Sequence, residues 1–282
     1  MADKTASDLH FHPGFFTPDP RISRLLDPIV RLQQIVELAT KKGLGILAVT
    51  SHSYPEHIDR RWNYYLENGI NIPGFLVEEL GANEHIPQAL LYAPKNPNFQ
   101  NNLYLLHGQE INTGQGDINI IGASCRIPVE KARSRGLEYF ADMAHYVGGE
   151  NVTVLVAHPA RCSLPTESLR DLYNRGKIDG LEVFSALEWS WNNRKAWEMS
   201  VKAFGLPGIA VSDGHSLPDM AAAFTIFPFK LMDYDFDGLA SVLKSNIRNP
   251  PANNHPARQE NYLSNASRVK YLANALSTKL PF

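Results

Sequence analysis

Asp8-Leu9-His10-Phe11-His12, followed at once by Pro13-Gly14, is the stretch whose reading decides the fold. In an extended chain, residues two apart point to the same side, so His10 and His12 share one face. Pro13-Gly14 then turns the chain away. Two imidazoles side by side where a strand ends are suited to facing one metal ion. The arrangement recurs further along. Thr50-Ser51-His52 ends a second apolar run and Gly108-Gln109-Glu110 a third. Gly116-Asp117 precedes a fourth, and Val156-Ala157-His158-Pro159 ends a fifth. A sixth run carries Glu182, and Ser212-Asp213-Gly214-His215 ends the seventh.

The seven runs are candidate strands at 8–12, 45–50, 103–111, 118–122, 152–158, 180–184 and 208–212. Helical periodicity lies between them. Ile29, Leu32, Val36 and Ala39 repeat at helical spacing until Gly43 stops the pattern, and residues 164–175 and 193–204 also read as helices. Strand and helix alternating, with near-continuous apolar strands, implies a parallel sheet or a β/α barrel. Such folds build their sites in the loops at the carboxyl ends of the strands. Two stretches break the alternation. Residues 53–102 are loop-rich, with Pro55, Pro73, Pro87, Pro94 and Pro97, and read as an excursion over one end of the barrel. Residues 249–256 form a linker rich in proline and asparagine, and a last helix is expected from Arg258. Its apolar stripe of Tyr262, Ala266, Val269, Ala273 and Leu276 packs on its own domain or on another subunit. The expected organisation is thus a barrel over 5–247 and a linker with a C-terminal helix over 248–282.

Composition narrows the function classes. With 282 residues, 44% of them hydrophobic, the chain can bury a large core without disulfides. Its formal net charge of −2 gives no bulk attraction to nucleic acid or to an anionic membrane. Cys125 and Cys162 stand far apart in no paired motif, which fits free thiols in a reducing compartment. The first residues lack a signal-peptide core, and no apolar run approaches the ~20 residues of a membrane span. The expected compartment is the cytoplasm.

The ordered series DLHFH, TSH, GQE, GD, AHP and SDGH resembles the motif series of the polymerase and histidinol phosphatase (PHP) family, and the likeness covers about residues 5–247. That resemblance implies a distorted seven-stranded (β/α) barrel, with a di- or trinuclear metal centre at the carboxyl ends of the strands. Carried over position by position, His10 and His12 match the first-motif pair, His52 the second-motif histidine and Glu110 the bridging carboxylate. His158 matches the ligand in AHP, and Asp213 and His215 the final Asp-x-His. The chain departs from the pattern in three places. Ser51 replaces the usual acid of the second motif. Asp117 stands where the family often has histidine, and a harder oxygen donor there favours Mn²⁺ or Fe over Zn²⁺. Asp19 is the nearest counterpart of a further ligand past the first motif, with a plain Pro-Asp-Pro turn as the alternative.

The resemblance implies a metal-dependent phosphoric ester hydrolase, acting on a small molecule or nucleotide through a hydroxide generated at two or three divalent ions (Mn, Fe or Zn). Glu110, His158 and Asp213 are the expected catalytic groups. Arg161, just after AHPA, is placed to meet a phosphate with its planar donor fork. Glu182 either orients a ligand or pairs with a helix arginine. His57, His85, His107, His145 and His255 are read as surface or packing residues, and Cys162 lacks a nucleophile motif. The expected partner is a small phosphorylated substrate, with nucleic acid not favoured and no membrane. Three readings compete: a nuclease acting on nucleic-acid ends, an amidohydrolase-type metal hydrolase, and a non-catalytic PHP module. The amidohydrolase commonly bridges its metals with a carboxylated lysine, but here Glu110 stands in that place.

Overall fold

The computed structural model describes residues 4–12, 28–52, 72–81, 88–95, 102–123, 127–129, 134–231, 233–249 and 257–259. All seven expected strands form. They are β1 (Thr5–Phe11), β2 (Leu44–His52), β5 (Leu103–Asn112), β6 (Asp117–Ile121), β7 (Thr153–Ala157), β8 (Gly180–Ser185) and β9 (Gly208–Val211). Four more join them: β3 (Phe75–Leu80), β4 (Ala89–Pro94), β10 (Phe224–Phe227) and β11 (Ala257–Gln259). Helix α1 (Pro28–Lys41) precedes β2, and α2 (Leu137–Gly148) precedes β7. Then come α3 (Thr166–Asn174), α4 (Ser190–Trp197) and α5 (Phe236–Arg248). Gly43 ends the α1 turn at φ 75°, a conformation that costs glycine little.

The strands form one mixed sheet in the order β11-β10-β1-β2-β5-β6-β7-β8-β9. Eight of them, from β10 round to β9, make a nearly closed barrel. Closure runs through the chain just past β9. Asp213 N donates to His10 O at 2.8 Å, His12 N to Gly214 O at 2.9 Å, and Phe11 bridges Gly214 in parallel. Thr225 on β10 ties back to β9, its hydroxyl accepting from Ala210 N and donating to Ala210 O.

This differs from a uniform β/α barrel. β6 runs antiparallel to both β5 and β7, and β10 antiparallel to β1. The β5–β6 link is only the turn at 113–116, closed by Thr113 Oγ1 donating to Gly116 O at 2.7 Å. A parallel crossover needs about a dozen residues, so this link can only make a hairpin. The excursion also holds order among its described residues. β3 and β4 pair antiparallel, and β4 pairs with the first half of β5. Pro73 precedes this hairpin and Pro94 ends it. Ala257–Gln259 add as a strand to the open edge of β10, so no helix begins at Arg258. The edge's unpaired backbone groups override the local helical periodicity there. The apolar stripe from Tyr262 onward, and the subunit contact expected of it, lie outside the described residues.

Side chains alternate across the barrel wall. On β2 and β5, Ile46, Ala48, Tyr104 and Leu106 join an interior core with Leu9, Leu155, Ile209 and Val211. Phe236, Leu239, Leu243 and Ile247 of α5 belong to the same core. On the outer face, Leu47, Val49, Leu103 and Leu105 pack with Leu32, Ile35, Val36 and Ala39 of α1. The alternation on β5 continues through Gly108 to Glu110, which puts that carboxylate inside. A register shift on β1 between Asp8 and Phe11 puts Leu9 in the interior core and Phe11 in the outer cluster with α1, so that His10 and His12 on either side of Phe11 face inward.

Candidate metal centre

Strand ends bring His10, His12, Glu110, His158 and Asp213 together, all buried. β2 and β5 run parallel with His52 opposite Glu110, and Asn112 of β5 lies opposite Asp117. Because β6 is reversed, its first residue reaches the end of the barrel where β5 and β7 finish. Asp117 lies opposite Ala157, next to His158.

The polar atoms converge. His10 Nε2 is 2.9 Å from His12 Nε2, 3.6 Å from Glu110 Oε1 and 3.5 Å from Asp213 Oδ1. His12 Nε2 lies 3.4 Å from both Glu110 Oε2 and Asp213 Oδ1. Beside His10, His158 Nε2 approaches Glu110 Oε1 at 3.7 Å and Asp213 Oδ2 at 3.3 Å. Ligands held about 2.0–2.2 Å from one ion lie about 3.0–3.6 Å from each other in tetrahedral or octahedral geometry. Five of the seven spacings fall in that range, and 2.9 Å and 3.7 Å lie just outside it. Four overlapping groups meet the requirement for a cation: His10, His158 and Asp213; His10, His12 and Glu110; His12, Asp213 and His215; Glu110, Asp117 and His158. These side chains could hold metal ions.

A second layer aims the imidazoles. Glu182 lies 3.0 and 3.1 Å from His10 Nδ1 through its two oxygens, and Asn119 Nδ2 donates to Glu182 Oε1 at 2.6 Å. The carboxylate holds the outer nitrogen and leaves Nε2 facing the cluster. Glu182 thus meets His10, and among the described residues no ion pair with a helix arginine is seen. His215 Nδ1 donates to Asp213 O at 2.9 Å, which turns its Nε2 outward from that bond. Glu188 Oε1 lies 3.6 Å from His158 Nδ1. Sequence reading passed over Asn119 and Glu188. Glu188 belongs to no motif, and its only signal was an acid in the apolar loop just past β8.

The backbone is strained at two residues of the cluster, His158 and Asp213. Among the described residues, three non-glycines have positive φ: His158 at 47°, Asp213 at 49° and Ala221 at 52°. Left-handed φ at such residues costs on the order of 1–3 kcal/mol and persists only where surrounding contacts enforce it. For Asp213 the enforcing contacts are its own N–H on His10 O and the Asp8 carboxylate. Asp8 accepts from Ser212 N and Ala221 N, both at 3.0 Å. Burial pushes Asp8 up to about 6 despite those hydrogen bonds.

Burial opposes charge on His10 and His158 and on Asp213, but their mutual attraction outweighs it. Glu182, Asp213 and Glu110 hold His10 well above its ordinary value. Burial works against protonated His158 too, yet Asp213, Glu110, Glu182 and Glu188 raise it to about 9. Desolvation would raise Asp213, but His10, His158, His12 and His215 hold it well below the usual carboxylate range. Acids and imidazoles this close need a shared positive charge, which protons or divalent cations can supply.

Other residues fall as follows. Asp117 is half-buried, and its Oδ1 accepts from Asn112 Nδ2 at 2.5 Å. Arg161 forms an ion pair with Glu188, while its side chain is 48% exposed, leaving part of the donor fork facing out. His107 lies 3.1 Å from Ala123 O through Nδ1, and His145 3.2 Å from Lys177 O through Nε2; neither belongs to a cation group. Burial and the Asp117 charge push Cys162 up to about 12, so its thiol stays protonated at neutral pH. The backbone of His52 is described but its side chain is not. Asp19, His57, His85 and His255 lie outside the described residues.

No helix among the described residues is long and apolar enough to cross a membrane. The sequence matches no model of a known protein family and no curated protein. Among solved structures, PsfC from Pseudomonas syringae PB-5123 is similar over 98% of both chains, with a TM-score of 0.55 at 14% identity. At that identity the likeness is one of fold. The chain is thus an α/β protein with a nearly closed barrel that gathers buried histidines and carboxylates able to hold metal at one end.

Proposed function

We propose that the chain is a metal-dependent phosphoric ester hydrolase of the PHP type, acting on a small phosphorylated molecule or a nucleotide. One observation carries the reading. The Glu110 carboxylate faces His10, His12 and His158 at 3.4–3.7 Å, and Asp213 faces the same three imidazoles at 3.3–3.5 Å. One cation would be held by His10, His12 and Glu110 and another by Glu110, Asp117 and His158, with Asp213 within reach of all three histidines. His215, and by the motif match His52 and Asp19, would extend the set toward a third. Divalent ions bound here would supply Lewis acidity toward a phosphoryl oxygen and lower the pKa of water at the site.

The chain's own residues do the rest. Glu182 holds His10 with Nε2 inward, and strained backbone fixes His158 and Asp213. The outward part of Arg161 offers planar donors to phosphate oxygens beside the cluster. The net charge of −2 favours small substrates over nucleic-acid ends.

The test is a panel of phosphorylated compounds with the Mn²⁺-loaded protein and its Glu110→Gln variant. Gln keeps the shape but removes the charge that lets two cations sit close together. The variant should remain folded, lose one metal and fall in rate by more than about 100-fold. A Glu110→Gln protein with full metal content and near wild-type rates would refute the shared-carboxylate arrangement. No hydrolysis of any phosphate ester by the metal-loaded wild type would refute the activity.

A further inference from the structure

We infer that Glu188 is a positioning residue for His158, and that Arg161 acts on the cluster through it. The inference rests on the metal-site reading given above. Glu188 follows β8 in a short buried loop and is itself only 3% exposed. Its backbone N–H donates to Ser185 O at 3.2 Å, and its Oε2 accepts from Asn192 Nδ2 at 2.5 Å. The carboxylate is therefore held from the backbone and from α4. Oε1, the free end, points at two groups: His158 Nδ1 at 3.6 Å and the Arg161 guanidinium, with which it forms an ion pair.

The arrangement parallels the one at His10, although the Glu188–His158 contact of 3.6 Å is longer than a hydrogen bond while Glu182 lies 3.0 Å from His10. There the outer Nδ1 faces the buried Glu182 while Nε2 faces Glu110 and Asp213. At His158 the outer Nδ1 faces the buried Glu188 while Nε2 faces the same two acids. Both glutamates and His158 line a single cleft, with Ser185, Asn193 and Arg161. A histidine that ligates metal characteristically gives its other N–H to a carboxylate, which fixes the ring and raises its basicity.

The second arm differs. Glu182 is steadied by the neutral Asn119, whereas Glu188 is steadied by a cation three residues beyond the histidine it serves. His158 and Arg161 belong to one tight turn, in which Arg161 N donates to His158 O at 2.8 Å. That turn begins at the left-handed backbone of His158. Arg161, Glu188 and His158 thus form a closed loop, linked by backbone on one side and by the carboxylate on the other. Among the described residues, Glu188 is the side chain that links Arg161 to His158. Removing Arg161 should reach the cluster only by releasing Glu188.

The experiment uses the full chain and Co²⁺ alone, so phosphoesterase activity has no part in it. Affinity and the visible Co²⁺ absorption spectrum are measured for wild type, Glu188→Gln, Arg161→Ala, Arg161→Lys and the double variant. Glu188→Gln should weaken Co²⁺ binding roughly tenfold to a hundredfold and shift the spectrum. Arg161→Ala should weaken it about fivefold. Arg161→Lys should recover most of that loss, and the double variant should match Glu188→Gln. Wild-type affinity and spectrum in Glu188→Gln or in Arg161→Ala would overturn the inference, as would losses that multiply when those two changes are combined. If Glu188→Gln does not fold, the contrast between Arg161→Ala and Arg161→Lys decides, because Arg161 is half-exposed. Equal affinity in those two would then overturn it. Failure of every phosphate ester in the activity panel would leave these outcomes standing.

Discussion

His10 shows how one ring can serve two layers of a site. Glu182 and Asn119 hold its outer nitrogen in a buried hydrogen-bonded chain, and its inner nitrogen faces Glu110 and Asp213. Glu182→Gln weakens the hold without changing volume. It should lower metal affinity about tenfold, measured by competition with a chelator, and lower the melting temperature of the metal-free protein, where Glu182 is the main partner of charged His10. The same residues set a pH dependence. His158 stands at about 9 in the fold against an ordinary 6.5, so its contribution to stability is whole below pH 6.5 and lost as pH rises through about 9. His10 acts in the same direction. Asp213, shifted down from an ordinary 3.8, contributes above that value and loses its contribution as pH falls below it. Asp8, raised to about 6 in the fold, takes stability away as pH rises from about 4 to 6, so chelator-treated protein should be most stable near pH 4 and lose a further amount on the order of 1–3 kcal/mol between pH 6.5 and 9. Denaturant midpoints across that range check this, and a stability that rises from pH 6.5 to 9 would contradict it. The inward-facing residues were legible because HxH and DxH place two donors on one face of a strand end. Glu188 and Asn119 were not, because nothing in a single acid or amide beside apolar neighbours says which way it points.

At the scale of elements, the reversal of β6 decides which of its ends meets the site. A parallel fourth strand would put its start at the far end of the barrel, away from Glu110. The turn at 113–116 forces the reversal, and Asp117 arrives beside Ala157. Gly116 sits at φ 146°, and a side chain there would overlap the Cys162 sulfur. Gly116→Ala should cost about 2 kcal/mol in urea unfolding and displace Asp117, lowering metal content. An alanine variant with unchanged stability would show that the turn is not under this constraint. The strands themselves could be read because each is a short apolar run bounded by turn residues. The direction of β6 could not be read by assuming strand–helix alternation, although the shortness of the Thr113–Gly116 link held the answer. The β3–β4 hairpin was hidden because the prolines near it drew attention as loop markers, when Pro73 and Pro94 only bound it.

The whole molecule is a barrel wall with α5 contributing Phe236, Leu239, Leu243 and Ile247 to the interior core. Asp179, fully buried, ties α5 to the wall. It accepts from Val154 N at 2.9 Å and Arg248 Nη1 at 3.1 Å, with Lys244 Nζ at 3.7 Å. Asp179→Ala should cost about 2–4 kcal/mol, since it leaves a buried N–H without its partner and frees two cations. Guanidinium unfolding measures this, and metal content per folded chain should stay at the wild-type value. That separation of stability from metal binding follows from the architecture. One end of the barrel holds the core and its helix, and the other gathers the histidines and acids.

The central claim is that this second end is a metal centre with room for more than one ion. Elemental analysis of the full chain, loaded with Mn²⁺ or Zn²⁺ and freed of excess, tests it directly. The four overlapping donor groups predict at least two ions per chain. Less than one ion per chain after loading would contradict it.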